Sequence, residues 1–313
     1  MLLCVSSRST FTLSLGSERM RMFEDRSQGE IPVLAVRGQN LPEAWERSIV
    51  EVWEKGVALA TEYDHEGDPP SRDATMVLVV ERPFEEPRIH RAFPGGIADL
   101  EKYRLEVVEG VHDHWIRPEE GKWTYTYHKR LFDYVVREDP LRPEADSPFQ
   151  TVNQIELLID KLAKVPHSRR AQAITWMPTL DPRTDDPPCL QRLWCRLVQD
   201  GQGGWDLNMN SHWRSRDAYK AAFMNIYALT DLQRILAEKI SERSGMKVSV
   251  GRYADITDSY HLYGSYLAEI EERFLRSLRE RTFEERTWRS DDPRIRAGIQ
   301  WGREQIEQEK QTE

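Results

Sequence analysis

Three cysteines in 313 residues, Cys4, Cys189 and Cys195, are too few and too unevenly spaced for a disulfide framework or a zinc-type ligand set. A reducing, cytoplasmic setting without a metal is the simplest reading. No run of about 18 apolar residues exists, so a membrane-spanning helix is excluded. Positive charge is also in short supply. Lys plus Arg number 44 against 53 Asp plus Glu, a formal charge of −9. A nucleic-acid binder would show a basic face, and this chain does not read as one. A local arginine cluster can still oppose the overall field and hold a small anion. There is no internal repeat and no low-complexity run. What remains, at 39% hydrophobic and 31% charged residues, is a globular chain.

The patterning is α+β. Residues 41–62 read as an amphipathic helix with Leu41, Trp45, Ile49 and Val52 near one face. A Gly/Asp/Pro turn at 66–71 leads into a β-branched strand, ATMVLVVERP, closed by Pro83. Residues 98–112 look helical, 113–134 are dense in aromatics, and 135–150 read as a charged, proline-rich surface loop. Thr151 is placed to cap a helix over 152–164. AQAITWM and LQRLWCRLV are strands, and GQGG at 201–204 joins the latter to WDLNMNSHWRS as a hairpin. In that last strand Leu207, Met209, Ser211 and Trp213 share one face. Asp217 is read as the cap of a long helix that Gly245 ends. KVSVGRYADIT is a strand, and 264–286 a charged helix.

These pieces argue for one domain over 26–302, with a large mixed β-sheet packed by helices. Residues 1–25 lack a convincing signal-peptide cleavage site and read as a flexible extension; translation from Met20 or Met22 would also account for them. Residues 303–313 read as a polar, fraying tail.

Four constellations bear chemistry. In DDPPCLQ, two prolines fix the backbone just before Cys189 at a strand edge, a good setting for a nucleophile, though a small buried hydrophobe is the blander reading. Arg169 and Arg170 form a donor cluster suited to phosphate, or a solvated surface pair. Arg214 and Ser215 leave a strand for a helix start, a favourable place for an anion, and Asn225 lies two turns into that helix. Its amide matches the donor and acceptor of a pyrimidine edge, or serves as a satisfied core group. His261 and Tyr263, two apart, share a face suited to a sugar hydroxyl, or are ordinary strand residues.

Taken in order, the arginine pair, PPC, RSxD, the helical asparagine and HxY resemble the thymidylate synthases and the related pyrimidine-nucleotide hydroxymethylases. The resemblance runs from about Glu106 to Tyr263. SRDATMVLV resembles the family's arginine-bearing phosphate loop, with Arg72 the match. YRLEVVEG resembles the helix of the general-base glutamate, with Glu106 the match and Glu109 the alternative. YTYHKR gives Tyr127 as the tyrosine near the nucleophile.

The resemblance implies a thymidylate synthase-like fold and a homodimer joined sheet to sheet. It implies that Cys189 attacks C6 of dUMP, that C5 captures the one-carbon unit of 5,10-methylenetetrahydrofolate, and that Glu106 organises proton transfers. Arg72, Arg214 and Ser215 would hold the phosphate, with Arg169 and Arg170 reaching in from the partner subunit. Four arginines around the nucleotide would then favour the thiolate. Asn225 would read the base, His261 and Tyr263 the 3′-hydroxyl, and Asp217 the pterin. Several positions depart from the family pattern: Leu190 for a common histidine, Trp213 for a usual glutamine, Ala221 near a usual glycine, Phe223 near a usual proline, and no apolar C-terminus. A dCMP or CMP hydroxymethylase and a non-catalytic nucleotide-binding homologue are the alternatives.

Overall fold

The computed structural model describes residues 29–136 and 150–312. The extension expected at 1–25 and most of the loop expected at 135–150 lie outside the described residues.

Strand β1 (Val33–Gly38) leads into helix α1 (Leu41–Lys55). Asn40 caps that helix by accepting the Glu43 N–H at 3.1 Å. Leu41, Ala44, Trp45, Ile49 and Val52, at helical spacing, are all fully buried. Trp45 is locked twice, by its indole N–H on Ala218 O at 2.8 Å and by edge contacts with Phe223 and Phe274. The helix ends at Lys55, seven residues before the sequence expectation. Gly56 stops it, and Val57–Leu59 become strand β2, paired with β3 (Ser71–Val80).

After the short strand β4 (Ile89–His90), helix α2 (Ile97–Glu109) carries the two candidate glutamates. It stops at Gly110, whose φ of 65° is left-handed. A Cβ there would also sit 2.2 Å from the His128 ring, so glycine is required twice over. Helix α3 (Tyr127–Phe132) follows, then a two-stranded ribbon of β5 (Tyr134–Val136) and β6 (Gln150–Val152). Thr151 belongs to that ribbon, opposite Val135. The cap of α4 (Gln154–Lys164) is therefore Asn153, not Thr151, and its side chain accepts the Glu156 N–H at 2.9 Å.

Strands β7 (Ala171–Ile174), β8 (Leu190–Gln199) and β9 (Trp205–Asp217) run antiparallel in sequence. Leu207, Met209, Ser211 and Trp213 are buried on one face, as their alternation indicates. Strand β9 continues to Asp217 because its pairing with β10 (Val248–Leu262) persists to Asp217 opposite His261. Helix α5 (Ala222–Ser244) consequently starts four residues later than expected. Asp217 caps the intervening turn instead, accepting the N–H groups of Tyr219 and Lys220 at 2.9 and 2.8 Å. The helix ends at Gly245 as read from the sequence.

The expected helix at 264–286 is broken. Helix α6 (Leu267–Glu269) passes through a wider π-type turn into α7 (Arg276–Glu280). Thr282 then caps the separate α8 (Phe283–Arg286), and β11 (Thr287–Trp288) pairs with β4. The expected fraying tail is also overturned, because Pro293–Thr312 form helix α9, packed along α2.

The main sheet has the order β1-β3-β10-β9-β8-β7, with β2 beside β3. It is mixed, because β1–β3 and β10–β9 are parallel pairs. Helices α1 and α5 pack on its buried face, α2 lies on α5, and α9 lies on α2. The opposite face carries Trp194, Arg196, Asn208, Asn210 and His212, all only partly buried. Register shifts fall just after Cys189 and just before Tyr260. Such bulges re-aim the side chains that follow them.

Candidate active site

Arg130 is buried and makes a two-pronged bond to Asp181, at 3.0 and 2.7 Å, while donating to Thr175 O. Asp181 also accepts the Met177 N–H. That pair fastens the loop before β8 onto α3. At the loop's other end Pro187 and Pro188 offer carbonyls without competing N–H groups. Arg214 takes both, with Nε 3.1 Å from Pro188 O and Nη2 2.5 Å from Pro187 O. Its own N–H donates to Cys189 O at 2.9 Å. The guanidinium therefore clamps the backbone on which Cys189, half buried, is mounted.

Burial pushes the Cys189 thiol above its ordinary value. Arg214 opposes this, Asp186 adds to it, and Arg216 opposes it more weakly. Within this chain burial outweighs the arginines, so the thiolate is not favoured as the sequence led us to expect. The sign is testable. Iodoacetamide labelling of Cys189 should rise with pH through a midpoint above the ordinary thiol value of about 8.5. Removing an opposing cation, Arg214→Gln, should move the midpoint higher, and Asp186→Asn should move it lower. A Cys4→Ser background leaves Cys195 as the other thiol, and its complete burial holds it up at about 12.

A cavity of about 610 Å³ opens beside this loop, lined by Glu106, Trp123, Tyr125, Tyr127, Arg183 and Asp186 among others. The Tyr127 hydroxyl accepts the Leu190 N–H at 3.4 Å, and its ring meets Trp213 edge-on. Burial, then Tyr103 and Cys189, hold Tyr127 well above the ordinary phenol range, so it remains a neutral hydroxyl. Glu106 and Glu109 part company here. Glu106 faces the cavity and His112, at 2.9 Å, whereas Glu109 is exposed and reaches Arg104 at 3.6 Å.

Asn225 is buried, and its Nδ2 donates to Tyr103 Oη at 2.6 Å. His261 is buried as well. Its Nδ1 lies 3.3 Å from Ser259 Oγ, which donates to Asp73 at 2.6 Å. Among the described residues His261 Nε2 has no hydrogen-bond partner, which is unusual for a buried polar atom. Tyr263 packs edge-on to His261, with ring centroids 4.5 Å apart. Arg72 is half buried opposite Leu262, and Ser215 pairs with Ser259. Asp217 accepts from the Tyr266 hydroxyl as well as its two turn amides, so its oxygens are occupied.

Arg169 and Arg170 are not brought to Cys189 within one chain. They precede β7, whose Ala171 pairs with Cys195, and Cys195 lies ~20 Å along the strand from Cys189 at about 3.4 Å per residue. Next to Asp217, Tyr219 opens onto a second cavity of about 280 Å³ that Arg91, Arg273, Arg276, Arg281 and Arg286 line.

Sequence reading missed Tyr103, His112 and Arg216. Tyr103 lies one helical turn before Glu106, a spacing that could have marked it. Arg216 stands inside the RSRD run and was passed over for its neighbour. His112 had no signal, because one histidine in an aromatic-rich stretch fits many roles.

A family profile described as thymidylate synthase matches residues 98–289, well over half of the chain. Relatives described as "putative thymidylate synthase" include those of Methanosarcina acetivorans and Methanocaldococcus jannaschii. The first is 26% identical over 223 residues, covering 71% of this chain and 89% of the relative. The second is 26% identical over 236 residues, covering 74% and 91%. Thermostable thymidylate synthase A from Bacillus subtilis is similar in structure. It has a TM-score of 0.53 at 17% identity, with 74% of this chain and 83% of the other covered, a likeness of fold alone.

Proposed function

Because this chain belongs to the thymidylate synthase family, we propose that it is a thymidylate synthase acting on dUMP. The observation that carries the reading is Cys189, mounted on a proline-fixed loop that Arg214 clamps, beside a cavity walled by Glu106 and Tyr127.

In this reading the Cys189 sulfur adds to C6 of the pyrimidine. The new C–S bond shifts electron density to C5. When bound, 5,10-methylenetetrahydrofolate supplies the one-carbon unit and the hydride. Glu106 moves protons at the cavity wall, and Tyr127 donates a hydrogen bond as a neutral hydroxyl. Breaking the C–S bond frees Cys189 and leaves dTMP and dihydrofolate. Asn225 faces the base edge. His261 Nε2, buried without a hydrogen-bond partner among the described residues, takes the sugar hydroxyl with Tyr263. Arg72, Arg214 and Ser215 hold the phosphate, and binding it orients C6 against the sulfur. The cavity volume and its aromatic wall suit a pterin, with Asp217 to contact it once Tyr266 yields.

The enzyme would be a two-fold homodimer joined through the open sheet face. Two observations support this: that face is only partly buried, and Arg169 and Arg170 are far from their own Cys189. Each pair would then serve the partner's site.

A dCMP or CMP hydroxymethylase is the second reading. Helix α9 brings the carboxylate of Glu309, not an apolar closing side chain, to His112 beside the cavity. Water admitted there would capture the C5-methylene group. The test is to incubate protein, methylenetetrahydrofolate and each nucleotide in turn. The proposal expects dihydrofolate absorbance to rise with dUMP. Hydroxymethylated product from dCMP or CMP without dihydrofolate would favour the second reading, and no product from any would overturn both.

A further inference from the structure

His112 belongs to none of the motifs, yet both of its nitrogens face carboxylates. Nδ1 lies 2.9 Å from Glu106 Oε2, and Nε2 lies 3.4 Å from Glu309 Oε2. The ring is 6% exposed and stacks on Trp115, with centroids 3.9 Å apart and planes 10° from parallel. Trp123, a wall of the Glu106 cavity, closes on both rings edge-on. The imidazole therefore has little freedom to turn.

The far carboxylate comes from α9, and its approach is specific. A Cβ on Gly302 would lie 2.7 Å from Ala98 O, and one on Gly298 would lie 2.7 Å from Ile97, so both positions admit α2 only because they are bare. Arg303, one residue past Gly302, bonds Glu101 of α2 at 2.8 Å. One side of α9 is thus seated on α2, and Glu309 falls within reach of His112 and of Lys102, at 3.5 Å.

We propose that His112 is a positioning residue that couples Glu309 of the C-terminal helix to Glu106 and fixes the orientation of the Glu106 carboxylate toward the cavity. An imidazole that donates from Nδ1 fixes one oxygen of Glu106 and leaves the other to the reacting groups. With a carboxylate oxygen at each nitrogen, the ring bridges Glu106 and Glu309. A base oriented in turn by a further group is a recurrent catalytic arrangement. Here that further group resides on α9, so docking of the C-terminal helix and alignment of the candidate base are one event. The inference about catalysis rests on the reaction proposed above, while the contact itself does not.

Two readouts keep these apart. Imidazole 15N spectra of the full chain should show the His112 ring signals moved by Glu309→Gln and by Glu106→Gln. A ring signal indifferent to both substitutions overturns the coupling, whether or not the protein turns over. In assays with the productive nucleotide, His112→Ala should lower kcat about 10- to 100-fold, the scale of a misaligned catalytic group, with KM for the nucleotide within about twofold. Release of the C5 proton should fall in parallel, while nucleotide protection of Cys189 from iodoacetamide stays. Glu309→Gln, on the outer helix, should lower kcat less, and His112→Asn, which keeps a donor near Nδ1, should recover most of it. A loss of kcat matched by lost protection or a lower melting temperature, with no recovery in His112→Asn, would make His112 merely structural. Absence of C5 proton release from dUMP, dCMP and CMP in the unaltered protein would sink the proposed reaction, and the ring spectra would still decide the contact.

Discussion

Cys189→Ser should remove turnover by about 10⁴-fold or more while leaving folding and nucleotide binding nearly unchanged. The size follows from chemistry. A serine hydroxyl is far less ionised than a thiol near neutral pH and a poorer nucleophile toward an electron-poor ring carbon, so the C6 adduct is lost and every later step with it. The small structural cost follows from geometry. Cys189 is only half buried, and the loop that carries it is held through backbone carbonyls by Arg214, contacts that serine leaves in place. Surface-like substitutions of this kind change stability by about 0.5 kcal/mol or less. Three measurements check it together: steady-state dihydrofolate formation, nucleotide affinity by calorimetry, and urea unfolding. A variant that unfolds at lower urea or loses the nucleotide would assign Cys189 to the framework. One that keeps even a tenth of the activity would remove it from the chemistry.

Much of this site was legible because its chemistry demands particular residues at strand ends and turns. The prolines before Cys189 and the alternation of β9 indicated where Cys189 and Arg214 would emerge, and the structure has them beside each other at neighbouring strand ends. The misreadings share one physical cause, which is long-range pairing overriding local preference. Asp217 has the residue type of a helix cap, but β10 holds it in the sheet until its partner His261. Thr151 could cap α4 in isolation, yet the ribbon with Val135 claims it. Residues 56–62 have helical periodicity, but an open strand edge at β3 takes Val57–Leu59. The polar tail looked free because its apolar content is low. Its docking depends on two glycines and an ion pair to Glu101, which periodicity does not register. Long-range packing also explains why His112 was missed, since its second partner lies 197 residues away on α9.

Asp255→Asn should cost about 3–5 kcal/mol of stability, the largest loss expected from any change that nearly preserves shape. Asp255 and Arg216 are both buried and paired side chain to side chain on adjacent strands. The carboxylate also accepts from Ser211, Tyr253 and Thr257, each at 2.9 Å. Burial works against the charge on Arg216, but Asp255, Tyr253 and Tyr260 outweigh it and hold the guanidinium above its ordinary value. Its Nε and Nη1 find no hydrogen-bond partner among the described residues, and the group leans instead on the faces of Trp213 and Tyr260 at 4.4 and 5.7 Å. Removing the carboxylate charge therefore leaves a cation buried with no anion and few hydrogen bonds. Removing both charges should cost less than removing one, so Arg216→Met with Asp255→Asn should be more stable than Asp255→Asn alone. Urea unfolding of the two single variants and the double completes the cycle. Equal and additive losses would mean that the pair is not coupled. The site should register the change as well, because Arg216 is one of two cations opposing the rise of the Cys189 thiol. In Arg216→Met the labelling midpoint of Cys189 should move up, by less than in Arg214→Gln, since Arg214 exerts the larger effect.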